Sequence, residues 1–137
     1  MGERLRDQGS IPDRVLCSTA IRCRETWQAL LPSFGQGIAV DFEDRLYGAD
    51  DRILLEVVAE IDEARTLLVL AHDPGISLLA RELMRAGDRP AAGLPVPDPA
   101  RVGLTPGSAA SFEVEGAWST VSRRSVRLMR FESPPRA

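Results

Sequence analysis

The chain has 137 residues, 44% hydrophobic and 27% charged, the size and composition of one globular domain (1–137) with little room for a second. Seventeen basic and 20 acidic residues leave a formal net charge of −3, so no general positive field is present to hold a polyanion, and nucleic acid is excluded as a main partner. No apolar run approaches the roughly 18 to 20 residues that span a bilayer, and the N-terminus carries no basic-then-apolar leader, which points to a cytoplasmic protein with no membrane partner.

The first strong element is Arg14-Val-Leu-Cys17, a short β-branched and apolar run that reads as a strand. The apolar positions of the following STAIRCRETWQALL recur at helical spacing, with Ser18 placed as an N-cap. Cys17 and Cys23 lie close together in this strand-to-helix stretch, where a disulfide would distort the backbone, so a reducing compartment is expected. Residues 38–42 read as a second strand, Glu43 to Asp50 as a polar loop, and residues 52–61 as an amphipathic helix. Residues 66–71 (TLLVLA) form a continuous apolar run, the pattern of a parallel strand covered on both faces. His72 follows at once; Asp73 can cap the next helix, ISLLARELMR, with Pro74 in its first turn. Residues 87–107 are a long connection rich in proline and glycine, either a functional lid or a disordered excursion. Residues 109–115 and 125–131 read as an antiparallel hairpin turning near Glu115-Gly116, with Arg123, Arg124, Arg127 and Arg130 as a solvated edge. The fold class predicted is α/β: a mostly parallel sheet between two helical layers, ending in that hairpin.

Open α/β sheets take their ligands at the carboxyl ends of the strands. Two strand-to-helix junctions, RVLC-STAIR and LLVLA-HDPG, belong there, and each opens a helix whose free N–H groups and positive dipole end suit an anion. Arg22 lies one turn into the first helix and His72 at the end of the second strand. A guanidinium fork and an imidazole converging on one crevice would hold phosphate or carboxylate. Each residue also has a plain structural reading, a surface arginine and a hydrogen-bonded strand-end histidine. One histidine and two neighbouring cysteines show no metal-ligand spacing, and no second imidazole exists to activate a thiol, so neither a metal nor another cofactor is expected.

The residues Ser18-Thr19-Ala20-Ile21-Arg22-Cys23-Arg24-Glu25-Thr26 resemble the Ser-x-x-x-Arg-x-x-x-Thr segment of the histidine phosphatase superfamily, the phosphoglycerate-mutase-like fold. Leu68-Val69-Leu70-Ala71-His72-Asp73-Pro74-Gly75-Ile76-Ser77 is similar to a stretch of its small bacterial phosphohistidine phosphatases, and Thr105 to Ser108 and the strand ending Arg130-Phe131 look like that branch's C-terminal hairpin. The resemblance implies a metal-independent phosphatase acting on a phosphorylated protein histidine or a small phosphoester. Within it Arg22 and His72 clamp the phosphoryl group with Ser18 beside them. Glu43-Asp44-Arg45-Leu46-Tyr47-Gly48 resembles a mutase stretch that would make Asp44 the leaving-group acid. The family's nucleophile, the histidine of an N-terminal Arg-His-Gly strand, is absent from these residues. Met1 to Arg6 resemble the end of the family's first helix, so a strand, a loop and most of a helix, on the order of 20–45 residues, are expected to be missing. The alternative is a non-catalytic phosphate- or phosphopeptide-binding module that forms homo-oligomers through its exposed sheet. A third reading, a plain α/β domain in which both motifs serve packing alone, also stands.

Overall fold

The central element is β1 (Arg14–Ser18), in which Val15, Leu16, Cys17 and Ser18 are all buried. The computed structural model describes residues 2–84, 108–122 and 125–132. Successive side chains of a strand point to opposite faces, so Val15 and Cys17 pack on one side of the sheet and Leu16 on the other. Both sides are apolar, and both are therefore covered. Helix α2 (Ile21–Phe34) presents Cys23, Trp27, Leu30 and Phe34, one stripe at helical spacing, to Val15 and Cys17. The Trp27 and Phe34 rings lie 6.2 Å apart. Helix α1 (Gly2–Asp7) adds Leu5 to this layer, and a Cβ on Gly2 would stand 2.7 Å from the Ser33 hydroxyl, which measures how closely α1 and α2 approach.

The opposite layer holds α3 (Asp51–Ala59) and α4 (Gly75–Met84), whose Leu54, Val57, Val58 and Leu79 surround Leu16. Truncating a buried residue such as Leu54 to alanine costs about 2–5 kcal/mol. Helices on both faces of a parallel sheet give the three-layer α/β arrangement expected from TLLVLA. β1 pairs in parallel with β2 (Ala39–Glu43) on one side and β3 (Leu67–Leu70) on the other. The sheet order is β2-β1-β3, so β3 is an edge strand among the described residues, and all four of its residues are only half-buried. β4 (Ala109–Val114) and β5 (Val126–Glu132) form a separate antiparallel pair, irregular between Ser111 and Phe112.

Four local expectations are corrected. Ser18 is the last residue of β1 and not the N-cap of α2; that position falls to Ala20, whose N–H is bound by the Ser18 hydroxyl at 3.2 Å. Helix α3 starts at Asp51, where Asp50 caps it by accepting from Ile53 N–H at 2.9 Å, and ends at Ala59 with Glu60 as its C-cap. The Asp73 carboxylate accepts from the Ser77 hydroxyl and from no backbone N–H among the described residues. The hairpin does not turn tightly at Glu115-Gly116: residues 115–125 connect the strands through a 3₁₀ turn at Trp118–Thr120. The connection at 87–107, Arg123 and Arg124 lie outside the described residues. Among the described residues no helix is long and apolar enough to cross a membrane.

Candidate functional site

Parallel pairing brings the strand ends to one edge. The register Ser18↔Glu43 and Cys17↔Leu70 places the ends of β2, β1 and β3 side by side, with neighbouring backbones about 4.8 Å apart. Three connections leave this edge: Thr19-Ala20 into α2, Asp44–Leu46 as a 3₁₀ turn, and Ala71 to Pro74 into α4. Ser18, Arg22, Asp44 and His72 thus belong to one end of the sheet.

Their environments differ. Ser18 is fully buried; its hydroxyl shapes the turn into α2 through the Ala20 N–H and borders the Cys23 thiol. Arg22 is exposed in the first turn of α2 and its guanidinium has no ion pair among the described residues. The first backbone N–H to reach back in this helix is that of Arg24, bonded to Ala20 carbonyl at 3.1 Å, which leaves the preceding N–H groups at the helix end for an acceptor. His72 is half-buried. Its carbonyl accepts from Ile76 N–H at 3.1 Å, whereas its imidazole takes no hydrogen bond among the described residues. Asp44 is exposed, with its carbonyl bound by Tyr47 N–H at 3.0 Å and its carboxylate without a described partner.

The Asp44 segment is locked. Arg45 forks onto Glu43 and Glu60, at 3.0 Å to Glu43 Oε1 and at 2.6 and 2.7 Å to the two Glu60 oxygens, which holds the Glu43 carboxyl below its usual range. Leu46 and Ala49 are buried in the α3/α4 layer. A Cβ on Gly75 would run into the Ala49 carbonyl oxygen, so the His-Asp-Pro-Gly connection rests directly on the backbone of this loop. Tyr47 projects from it, and its ring meets that of His72 edge-on, centroids 6.5 Å apart at 71°. In the sequence Tyr47 stands only as a member of the Glu43 to Gly48 stretch, and no periodicity marks it. Arg24, also unnoticed, places its guanidinium 5.2 Å from the centre of the Phe42 ring at the end of β2.

Neither thiol is a nucleophile in waiting. Burial, with a smaller contribution from neighbouring Cys23, pushes Cys17 up to about 11, and burial also raises Cys23; both are free thiols inside the α2 layer. The arrangement of Arg22, His72 and the α2 N-terminus offers hydrogen-bond donors and positive charge at an exposed edge, the chemistry of an oxyanion site.

A cleft of about 680 Å³ lies at the other end of the sheet, lined by Asp13, Asp62, Glu63, Arg65 and Trp118. Two of its polar side chains, Asp13 and Trp118, serve the fold. Asp13 accepts from Arg65 and Thr66 N–H at 3.1 and 2.8 Å, and Trp118 Nε1 donates to the Ala64 carbonyl at 3.0 Å.

No protein-family model matches the chain. An uncharacterized protein of Mycobacterium leprae is 33% identical over 123 residues, 89% of this chain and 71% of the relative. One of Mycobacterium tuberculosis is 32% identical over the same length, 73% of that protein. Among solved structures, one from Nakamurella multipartitia, described as a candidate phosphohistidine phosphatase SixA, superposes with a TM-score of 0.80 at 28% identity, covering 97% of this chain and 77% of that one. A second so described, from Agrobacterium tumefaciens, gives 0.71 at 24% identity over 97% and 75%, a likeness of fold alone.

Proposed function

Because the chain belongs to the histidine phosphatase superfamily, we propose that the carboxyl edge of its sheet is a metal-independent phosphoryl site of the phosphohistidine phosphatase type. The observation that carries this reading is that Arg22 and His72 lie at that edge, both without polar side-chain partners among the described residues, whereas Asp13 at the opposite edge accepts from Arg65 and Thr66 N–H. The solved neighbour from Nakamurella multipartitia supports it.

In this site Arg22 binds two phosphoryl oxygens through its fork, and His72 donates a hydrogen bond to the same group. Ser18 acts through the backbone, since its buried hydroxyl holds the turn that presents the α2 N-terminus. In this reading Asp44 protonates a leaving oxygen when the substrate is a phosphoester; an imidazole leaving group needs less help. The reaction itself needs an imidazole that attacks phosphorus, takes the phosphoryl group as an N–P bond and yields it to water. Residues 1–137 contain one histidine, His72, assigned here to binding. Turnover therefore requires a second imidazole from an Arg-His-Gly segment joined to this domain, and about a quarter of each matched relative extends beyond the match. The substrate is a phosphorylated protein histidine or a small phosphoester.

The single histidine also favours a second reading, a module that binds phosphate or a phosphopeptide without turnover and that can pair through the edge of β3. One experiment separates them. Orthovanadate is titrated into the 137-residue chain during thermal unfolding, with and without a chelator, and phosphate release from a phosphohistidine protein is followed alongside. Saturable protection that survives chelation supports the site, and a ligand at one hundred times its Kd should add about 2.7 kcal/mol of stability. Absence of protection overturns it. Intact mass of the native protein with its N-terminal peptide then decides the rest: an extension bearing Arg-His-Gly favours the phosphatase, a protein starting at Met1 the module.

A further inference from the structure

We infer that Tyr47 is a positioning residue for His72, fixing the imidazole plane from the loop that follows β2. Strand-end histidines are commonly oriented by a hydrogen bond from one ring nitrogen, but among the described residues His72 has none. Its ring contact is the edge-on approach of Tyr47, one of the preferred geometries of aromatic pairs. Tyr47 is 68% exposed, so core packing does not account for its place. What holds it is the turn beneath: Leu46 is 1% exposed, Arg45 is forked onto Glu43 and Glu60, and the Ala49 carbonyl abuts Gly75 of the His72 connection. The aromatic side chain is thus carried on a rigid support and delivered to a ring that lacks a hydrogen-bonded guide among the described residues. A ring contact of this kind uses neither nitrogen as a hydrogen-bond partner, whereas a carboxylate or carbonyl guide would occupy one.

The consequence for anion binding rests on the phosphoryl-site reading above, whereas the ring contact itself does not. Because the chain has one histidine, its imidazole Hε1 and Hδ2 resonances are read without ambiguity in the whole 137-residue protein. Tyr47→Phe keeps the ring and loses the hydroxyl; Tyr47→Ala loses both. The expected result is a ring-current shift of the His72 resonances in the wild type that persists in Tyr47→Phe and disappears in Tyr47→Ala. Orthovanadate affinity should fall roughly two- to tenfold in Tyr47→Ala and be restored in Tyr47→Phe. Unchanged His72 resonances in Tyr47→Ala, or a Tyr47→Phe variant that behaves like Tyr47→Ala, would overturn the inference. If the wild type binds no vanadate, the phosphoryl-site reading fails while the resonances still decide the positioning of His72. Unfolding of Tyr47→Ala is not expected for so exposed a side chain, and Tyr47→Leu supplies a second non-aromatic variant with the same predicted loss of shift.

Discussion

The two ends of the parallel sheet use similar residues to opposite effect. At the amino end Asp13 closes onto the N–H groups of Arg65 and Thr66, Arg14 pairs with Asp41 at 3.0 Å, and Trp118 bonds the Ala64 carbonyl. At the carboxyl end Arg22, Asp44 and His72 have side chains without polar partners among the described residues. Polar groups that already have partners contribute to the fold; those left open to solvent at strand ends are free to bind something else. A cleft of about 680 Å³ lies at the amino end, so a concavity does not by itself mark the site, and chemistry is the better guide because an anion needs free donors more than enclosure.

The largest effect should come from the carboxyl end. If Arg22 is the two-pronged, charge-assisted clamp proposed, Arg22→Ala should weaken orthovanadate binding by about 2–3 kcal/mol, roughly 30- to 150-fold, with the melting temperature unchanged because Arg22 is exposed and unpaired among the described residues. Isothermal titration and a thermal scan of the same preparation measure both. A melting temperature that falls with affinity would erase the contrast between the two ends. Next, Gly75→Ala should affect both properties at once. The new Cβ meets the Ala49 carbonyl, a backbone atom that cannot swing aside, so a loss of about 2 kcal/mol in chemical denaturation is expected. Wild-type stability in that variant would show that the two loops are less closely seated than the structure has them.

At the amino end, Asp13→Asn should cost about 1 kcal/mol at neutral pH, a modest figure because the carboxylate is exposed, and should leave vanadate affinity untouched. The bonds from Thr66 and Arg65 N–H hold the folded-state carboxyl below its ordinary value of 3.8. A depressed folded-state value means the stabilisation is full above about pH 4 and is lost as pH falls through that lower value. The gap between wild type and Asp13→Asn in urea midpoints should therefore close on acidification. A gap that stays constant down to pH 2 would assign the effect to packing.

Much of this was legible in the sequence, and the exceptions share a cause. TLLVLA declared a doubly covered parallel strand, and the apolar stripe through Cys23, Trp27, Leu30 and Phe34 declared α2, because burial periodicity is a property of the chain itself. The two strand-to-helix junctions were placed at the correct edge for the same reason. Contacts between segments distant in sequence were not legible: Arg45 with Glu60, Asp13 with Thr66, Gly75 with Ala49 and Tyr47 with His72 are set by how the layers stack. Ser18 shows the finer limit. As a serine before a helix it reads as an N-cap, yet β1 continues through it, and its hydroxyl binds the N–H two residues on, as serine does in turns.

Asp44→Asn should have the smallest effect on stability and anion binding, and gives the sharpest test of substrate. The carboxylate is exposed and unpaired among the described residues, so stability should change by less than about 0.5 kcal/mol, and vanadate binding should be unaffected if Asp44 acts, as proposed, on the leaving group alone. In a protein carrying the additional imidazole, hydrolysis of an alkyl phosphoester should fall by roughly 10²- to 10⁴-fold, the ordinary worth of a general acid, while hydrolysis of phosphohistidine should be nearly unchanged. Equal losses on both substrates would place Asp44 in the binding of the phosphoryl group itself. No loss on either would leave it as the solvent-facing first residue of a 3₁₀ turn, and would restrict the site to phosphoryl groups whose leaving atom departs without an acid.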